Sequence, residues 1–326
     1  MLKAGVNITQ AVDIAAETPN RRLKKVLKEI SESLENGFPL SVAMSGHSRV
    51  FPAVEIGVIR AGEATGNLVK VLKELADSTE RIANFSAKVR NAMIYPAFIV
   101  VVMIIVGIII ITRVIPPIRD IFDSLGSELP FATKALLAVT DFIIKGWPII
   151  IGAIIALIVV YRLALLTKRG QYFGSYVALN FPVFGALARQ AYLARFNRTM
   201  GLLVNSGVPI IEAVEIVTSS TDNVIFKRAL ASLMRSLEQG APISVSLEHS
   251  RYFPRLMTQL LFVGQQSGDL GGSAATLADY FEAEVDSKLK TFSSLLEPFI
   301  IVALGLAVGF IIVSVLQPIY NLTGAF

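Results

Sequence analysis

Two glycine turns share the pattern Gly-x-x-x-Gly-x-Leu. Of all segments of the chain, they are the most similar in residue type and spacing to a ligand-binding site. They read Gly62-Glu63-Ala64-Thr65-Gly66-Asn67-Leu68 and Gly264-Gln265-Gln266-Ser267-Gly268-Asp269-Leu270. A phosphate-binding loop needs Lys and then Ser or Thr after its second glycine, because these side chains reach the phosphates and the magnesium ion. Asn-Leu and Asp-Leu stand there instead, so no nucleotide site is predicted. Two interpretations stay open: a glycine that ends one helix before an Asn or Asp that begins the next, or a docking surface for a protein partner.

No other set of residues predicts catalysis or metal binding. The chain has no cysteine, which excludes disulfides, thiolate zinc sites and cysteine nucleophiles. The only two histidines, His47 and His249, have no second ligand at short spacing, so a turn or capping role is favoured over a zinc site. We therefore predict that the chain is not an enzyme and holds no cofactor or metal.

Three apolar runs predict that the chain spans a membrane. Of its 326 residues 53% are apolar and only 17% are charged, against roughly 25% charged in soluble domains. About 20 apolar residues in a helix cross the ~30 Å of hydrocarbon in a bilayer. The predicted transmembrane helices are 91–115, 146–166 and 298–319.

The positions of lysine and arginine predict the orientation of these spans. Basic residues flank the same side of all three: Lys88, Arg90, Lys168, Arg169, Lys288 and Lys290. Cytoplasmic flanks carry an excess of Lys and Arg, so the two large polar segments are predicted to be cytoplasmic. The loop 116–145 and the tail 320–326 are then external. The net charge of +5 is typical of such cytoplasmic flanks, and no nucleic-acid partner is predicted.

An internal repeat divides the chain into two similar copies. GVNITQAVDIAAE from Gly5 matches GVPIIEAVEIVTS from Gly207, and SLENGFPLSV from Ser33 matches SLEQGAPISV from Ser236 after a shift of one residue. The pairing continues into the apolar runs, where Pro96 matches Pro298. Each copy is thus a polar domain followed by one span, and the second span returns the chain between them.

Helical periodicity predicts an all-α fold. In RRLKKVLKEISESLENG the apolar residues recur every three or four positions, and Gly37 and Pro39 then end the helix. We predict two homologous helical-bundle domains, 1–90 and 167–297, joined to the three transmembrane helices. The stretch from Ala194 that precedes Gly207 has no counterpart before Gly5, so the first domain is expected to be N-terminally incomplete.

Taken together, the motifs resemble the type II secretion F domain family. The resemblance rests on the duplicated GVxxxxAVxI opening, the NG-x-P-x-S step, the Phe-Pro pairs, the two glycine turns, Tyr95-Pro96 and Glu297-Pro298. This family comprises inner-membrane platform proteins of type IV pili and type II secretion systems. The resemblance implies a multi-pass protein of the bacterial inner membrane, present as a homo-oligomer and bound to other inner-membrane assembly components. It further implies cytoplasmic domains that bind a hexameric ATPase, and membrane helices that guide pilin or pseudopilin subunits.

The resemblance also implies two groups of site residues. The partner-docking group consists of Glu63, Gly66, Asn67, Gln265, Gln266, Gly268 and Asp269. The membrane-boundary group, which is expected to contact pilin, consists of Tyr95, Pro96, Glu297 and Pro298. For Glu297 the alternative is an interfacial anchor in contact with water, because a carboxylate near hydrocarbon is costly unless it is paired or hydrated.

Two further features have both a structural and a functional interpretation. Gly305 and Gly309 form a GxxxG pattern that lets helix backbones approach closely, although glycine is common in membrane helices. A basic run is either a solvated helix face or a surface for anionic lipid or an acidic partner; it consists of Arg21, Arg22, Lys24, Lys25 and Lys28.

A small membrane transporter is the alternative function, since transporters are also built from repeats. Transporters place polar groups or broken helices at the membrane midplane. The predicted spans contain almost no polar residue there, which favours the platform over the transporter.

Overall fold

The computed structural model describes residues 1–114, 116, 131–182, 184–248 and 250–323. Every regular element in these ranges is helical, so the predicted all-α class is confirmed. The chain divides into two compact units. Unit 1 comprises Met1–Ser86 with Gln171–Val285, and unit 2 comprises Ala87–Gly170 with Asp286–Phe326. The amphipathic segments of both repeat copies therefore belong to unit 1, and the apolar runs belong to unit 2.

The first repeat copy forms four short helices and one long one. After a 3-10 turn at Leu2–Ala4 they are α1 (Ile8–Ala15), α2 (Arg21–Glu35), α3 (Leu40–Ser45), α4 (Ala53–Ala64) and α5 (Leu68–Ala92). Helix α2 begins where the Asn20 side chain accepts hydrogen bonds from the N–H groups of Arg22 and Leu23. Such a cap satisfies donors at the helix start that have no intrahelical partner.

Apolar helices follow the first copy. Helix α6 (Ile94–Ile109) continues into a π-helical turn at Ile110–Val114, and α7 (Phe131–Leu165) is followed by α8 (Lys168–Asn180). Because α7 begins at Phe131, the predicted external loop is helical from residue 131 to residue 145. Residues 117–130 of that loop lie outside the described residues.

The second repeat copy has the helices of the first copy and one more. They are α9 (Phe184–Asn205), α10 (Ile210–Ser219), α11 (Val224–Glu238), α12 (Ile243–Glu248), α13 (Arg255–Ser267) and α14 (Leu270–Thr323). Helices α10 to α13 correspond to α1 to α4. The cap is repeated as well, because Asn223 accepts from the N–H groups of Ile225 and Phe226 at the start of α11.

Two helical stretches of the described chain are long and apolar enough to cross a membrane, namely Leu68–Ile109 and Leu270–Leu306. They contain most of the predicted first span and part of the predicted third. The predicted second span lies mainly in α7, where Ile151–Leu165 meets Lys168–Asn180 at a bend of 112°, and this pair is a third candidate only if it forms one span. The count of three and the predicted domain limits therefore stay predictions.

The backbone turns of the two copies match at three positions that require a left-handed residue. The positive φ angles fall in pairs: Gly5 (83°) with Gly207 (90°), Gly37 (84°) with Gly240 (81°), and Gly66 (70°) with Gly268 (78°). Glycine adopts this conformation without the clash that a Cβ atom would cause. The predicted helix stop at Gly37 thus coincides with a left-handed turn, and Gly240 repeats this turn in the second copy.

Within unit 1 the copies pack against each other through α4, α9 and α10. A Cβ atom built on Gly57 of α4 would lie 2.6 Å from Cδ1 of Ile216 and 3.7 Å from Cδ2 of Leu203. Beside this contact, Nη1 of Arg60 lies 3.9 Å from Oε1 of Glu212. The core around the contact is closed, and Val58, Leu203 and Ala213 are fully buried.

Candidate functional site

The two glycine turns join consecutive helices by backbone capping. In the first turn the N–H of Asn67 donates to the Gly62 carbonyl at 2.9 Å, which satisfies a carbonyl at the end of α4. In the second turn Gly268 ends α13, and Oδ1 of Asp269 accepts from the N–H of Gly272 at 2.9 Å in the first turn of α14. A glycine thus ends the first helix of the turn in both copies, and a side-chain cap of the next helix is observed at Asp269.

The side chain that follows the first glycine of each turn binds the backbone of a neighbouring short helix. Oε1 of Glu63 accepts from the N–H of Ser41 at 3.3 Å, and Oε2 accepts from its hydroxyl at 2.5 Å. In the second copy Oε1 of Gln265 accepts from the N–H of Ile243 at 3.2 Å. These oxygens satisfy donors in the first turn of α3 and of α12, which each begin after a proline.

The first glycine of each turn permits close packing of the two helices that the turn joins. A Cβ atom on Gly62 would lie 3.0 Å from Cβ of Val71 in α5. A Cβ atom on Gly264 would lie 2.7 Å from Cβ of Ser273 in α14. The motif therefore brings three elements together: the helix before the turn, the helix after it, and the short helix bound by Glu63 or Gln265.

The predicted docking residues divide into two structural classes. Glu63 is partly buried and engaged within its own copy, and Gln265 is exposed but also bonded to the backbone. The others lie on the surface and are Gly66, Asn67, Gln266, Gly268 and Asp269. The structure brings each set together in a single turn, and partner docking at these turns stays a prediction.

An ion cluster that the sequence pattern did not reveal lies between α9 and α14. Arg198 is only 8% exposed, and its guanidinium lies 2.5 Å from Asp279 and 2.9 Å from Glu282. Burial disfavours its charged form, but the hydrogen bonds that it donates to Asp279 and Glu282 outweigh this effect and raise the pKa of Arg198. The Asp279 carboxylate also lies 3.9 Å from Nη1 of Arg81 in α5.

Close backbone contact accompanies this ion cluster. A Cβ atom on Gly201 of α9 would lie 3.0 Å from the carbonyl oxygen of Gly271 and 3.1 Å from the nitrogen of Ala275, both in α14. Asn197, one turn earlier in α9, has its Nδ2 3.6 Å from Sδ of Met257 in α13. Helix α9 thus covers the surface formed by α13 and α14.

The corresponding surface of the first copy is an open groove of about 790 Å³. Its lining is mostly apolar, including Ile30, Ile59 and Leu75, and it also includes Lys73 and Glu55. Burial raises the pKa of the Glu55 carboxyl. Glu55 occupies the repeat position of Met257, so the two copies present different chemistry at this place.

At the membrane boundary the predicted contact residues differ in exposure. Tyr95 is 50% exposed, Pro96 is buried and Pro298 is exposed. Glu297 lies within α14, but its side chain lies outside the described residues. In unit 2, Nζ of Lys88 lies 2.9 Å from Oδ2 of Asp286, beside a cleft of about 720 Å³ that also includes Asn91 and Lys290.

Comparison with known proteins identifies the family of this chain. The family described as type II secretion system (T2SS), protein F, matches residues 1–116 and 196–318, which include most of both repeat copies. The chain belongs to the type II secretion system protein F family. The resemblance noted in the sequence is therefore confirmed.

Relatives of this F-family chain come from both pilus and secretion systems. The type IV pilus assembly protein PilC of Thermus thermophilus is 32% identical over 99% of the chain and 80% of the relative. PilC of Pseudomonas aeruginosa is 29% identical over 99% of the chain and 87% of the relative. The type II secretion system protein F of Xanthomonas campestris is 31% identical over 100% of the chain and 80% of the relative.

The remaining predicted features of this F-family chain are placed by the structure as follows. A Cβ atom on Gly305 or Gly309 would have no described neighbour within 4 Å, so neither glycine lies in close contact with another described helix. The five basic residues of α2 are all exposed, which leaves both their interpretations open.

His47 lies in the turn after α3 with Nε2 3.5 Å from Oε2 of Glu29, whereas His249 lies outside the described residues.

A simple signal in the sequence accompanies one of the missed interactions. The bonds of Glu63 and Gln265 to a backbone donor 22 residues earlier recur in both copies, but they depend on the tertiary fold. Lys88 follows Arg81 by seven positions, and Asp286 follows Asp279 by seven positions. Seven positions are about two helix turns, so each helix carries two charges of the same sign on one face. For Arg198 no comparable signal exists, because α9 has no counterpart in the first copy with which its pattern could be compared.

Proposed function

We propose that this chain is a non-enzymatic platform of the bacterial inner membrane for type IV pilus assembly or type II secretion. In this proposal the cytoplasmic bundles bind a hexameric ATPase, and the membrane helices guide pilin or pseudopilin subunits into a growing filament. The observation that carries the proposal is the family match over both repeat copies, joined to relatives named for pilus assembly and for type II secretion.

The repeat geometry supports the mechanical part of this proposal. Each copy ends in a long helix, α5 or α14, that begins in the bundle directly after a glycine turn and reaches an apolar run. Glu63 or Gln265 and the close contact at Gly62 or Gly264 fix this turn to the bundle, so a partner that displaces the turn would displace the start of the long helix. The energy source then belongs to the partner.

The exposed residues of the turns are the proposed ATPase surface, and Gln266 is its cleanest test. Both Gln266→Glu and Gln266→Lys are expected to weaken association with the cognate hexameric ATPase by about tenfold or more, ~1.4 kcal/mol. Either charge would be desolvated without a partner in the interface. The affinity is measured by pull-down titration with the detergent-solubilised protein.

Two controls keep this test specific to the surface. Lys227→Glu changes an exposed charge on α11 and is expected to leave the affinity unchanged. Glu63→Gln retains an acceptor for the Ser41 donors and is also expected to leave it unchanged. Wild-type affinity in both Gln266 variants would remove this turn from the docking surface.

The proposed orientation is tested with topology reporters. Alkaline phosphatase fused after Ser124 is expected to be active, because this enzyme matures only outside the cytoplasm, and the fusion after Gln239 is expected to be inactive. A fluorescent protein that matures only in the cytoplasm serves as the reciprocal reporter at both positions. The opposite pair of activities would contradict the placement of the bundles in the cytoplasm.

A further inference from the structure

Helix α8 has two faces, and one of them packs on the bundle of unit 1, to which most of this helix belongs. The Leu179 side chain is fully buried, and the hydroxyl oxygen of Ser175 accepts from the N–H of Val224 at 3.2 Å, at the start of α11. The guanidinium of Arg228, also in α11, lies over the Tyr172 ring at 5.0 Å. Tyr172, Ser175 and Leu179 recur at helical spacing, so they define the inner face of α8.

The opposite face of α8 is apolar and uncovered. Phe173, Val177 and Phe181 follow one another at intervals of four residues, and we call them the α8 stripe. The N–H of Phe181 donates to the Val177 carbonyl at 2.9 Å, so helical geometry continues through the whole stripe. The three side chains are 66%, 40% and 52% exposed, in chain order. An exposed stripe of large apolar side chains marks an interaction surface or a membrane contact.

The position of the stripe in the chain identifies lipid as its occupant. Helix α8 begins three residues after the end of α7, whose last turns are apolar and exposed, as Leu163 at 57% shows. Three residues of fully extended chain span at most about 10 Å. The headgroup layer between hydrocarbon and water is about 5–8 Å thick. Where α7 crosses a membrane, α8 therefore begins in the headgroup layer or directly beside it.

The polar residues of α8 also suit the headgroup layer. Lys168 and Arg169 begin the helix and are exposed, and cations at this depth attract anionic headgroups. The helix contains no acidic residue that such headgroups would repel. Tyr176, which is 43% exposed beside the stripe, is of a type enriched at membrane interfaces. A soluble partner would explain an apolar stripe, but not its combination with a basic start directly after an apolar helix.

We propose that the α8 stripe is buried in the lipid headgroup layer, so that α8 is an interfacial helix through which this part of unit 1 contacts the membrane surface. The inner face of the helix holds the bundle, and the outer face holds lipid. Removal of the three apolar side chains from water drives the contact. The inference rests on the proposed placement of the chain in a membrane, and it adds a membrane contact outside the spans.

A spin label at Phe173 tests this proposal, because the chain has no cysteine of its own. Single-cysteine variants are labelled and reconstituted in liposomes of phosphatidylethanolamine and phosphatidylglycerol. EPR then compares collision of the label with oxygen, which concentrates in lipid, and with a nickel chelate, which stays in water. We expect the label in Phe173→Cys to lie ~5–10 Å into the boundary between headgroups and acyl chains. Gln171→Cys, at an exposed position of the same helix outside the stripe, is the matched control and is expected to be accessible to the nickel chelate.

A label at Leu157 separates this inference from the membrane placement on which it rests. Leu157 is 72% exposed on α7 and precedes the end of that helix by about 12 Å at 1.5 Å per residue, so contact with acyl chains is expected there. Water exposure of both Leu157→Cys and Phe173→Cys would contradict the span of α7 and, with it, this inference. Lipid exposure of Leu157→Cys with water exposure of Phe173→Cys would overturn the interfacial role of α8 alone. Protection of Phe173→Cys from both reagents would show a protein on the stripe and would also overturn it.

The added substitution Val177→Asp tests whether the stripe itself holds α8 in lipid. A charge is costly near hydrocarbon, so the label at Phe173 is expected to move toward water. Ala178→Asp places the same charge at an exposed position outside the stripe and is expected to leave the label depth unchanged. Hydrogen exchange of the α11 amides verifies that the bundle is intact in both variants. An unchanged label depth in Val177→Asp with an intact bundle would overturn the proposal.

Discussion

Replacing Gly201 with valine is expected to lower the free energy of unfolding of unit 1 by about 3 kcal/mol, because the new side chain overpacks a buried contact. A Cβ atom at this position would lie 3.0 Å and 3.1 Å from backbone atoms of Gly271 and Ala275, and backbone cannot rotate away as a side chain can. Helices α9 and α14 must therefore separate. Helix α14 continues from this contact with α9 into the apolar run.

Native-state hydrogen exchange of the α9 amides in detergent measures this effect, because it reports on unit 1 without the membrane helices. Ala186→Val is the matched control, since it adds a β-branched residue at an exposed position of the same helix. Its expected cost is only the difference in helix propensity, about 0.5 kcal/mol. Equal protection of the α9 amides in wild type and Gly201→Val would show that these helices do not depend on the close backbone contact.

Replacing Arg198 with alanine is expected to cost about 3 kcal/mol, the lower end for breaking a buried ion pair. The guanidinium is 8% exposed, whereas the Asp279 side chain is 61% exposed and that of Glu282 is 23% exposed. Asp279 would be rehydrated after the substitution, but Glu282 would remain largely buried without its partner. Unfolding in urea is monitored by hydrogen exchange of the α9 amides, and the measured quantity is the midpoint of the unfolding transition.

Arg198→Lys separates charge from geometry at this site. Lysine retains the positive charge but cannot donate to both carboxylates through a planar fork, so an intermediate loss of about 1–2 kcal/mol is expected. Asp279→Asn is expected to cost less than Arg198→Ala, because the carboxylate that it removes is largely in water. A loss for Arg198→Lys as large as that for alanine would show that the fork geometry, rather than the charge, holds α9 against α14.

The sequence predicted the local structure well because the local signals occur twice. The stop of α2 was predicted at Gly37 and Pro39, and the helix ends at Glu35. Pro52 and Pro254 precede α4 and α13, as expected of prolines at helix starts. Capping residues and glycines act on their immediate neighbours, so their effect can be seen without knowledge of the tertiary packing.

The tertiary contacts were not predictable in the same way. Glu63 was assigned to partner docking, because the sequence of the turn does not show whether its side chain is exposed. Its hydrogen bonds with Ser41 form only when α3 folds back against the turn. Arg198 lies in a stretch of α9 that is buried on every side, from Phe196 to Gly201, so no apolar stripe in the sequence marks its position and only the packing of α9 shows that it is buried. The contact between the copies uses the space at Gly57, and the repeat does not share this glycine, because Gln259 stands at the equivalent position.

The paired left-handed glycines restrict which mutations the gene can accept at its turns. One nucleotide change converts the glycine codons GGU and GGC into aspartate codons, whereas no glycine codon reaches asparagine in one change. Of the residues within one such step, aspartate tolerates a left-handed backbone best, whereas a β-branched residue such as valine is strained there. At Gly37 and Gly240, whose φ angles are 84° and 81°, aspartate is thus expected to be the best tolerated single-nucleotide replacement wherever the codon is GGU or GGC.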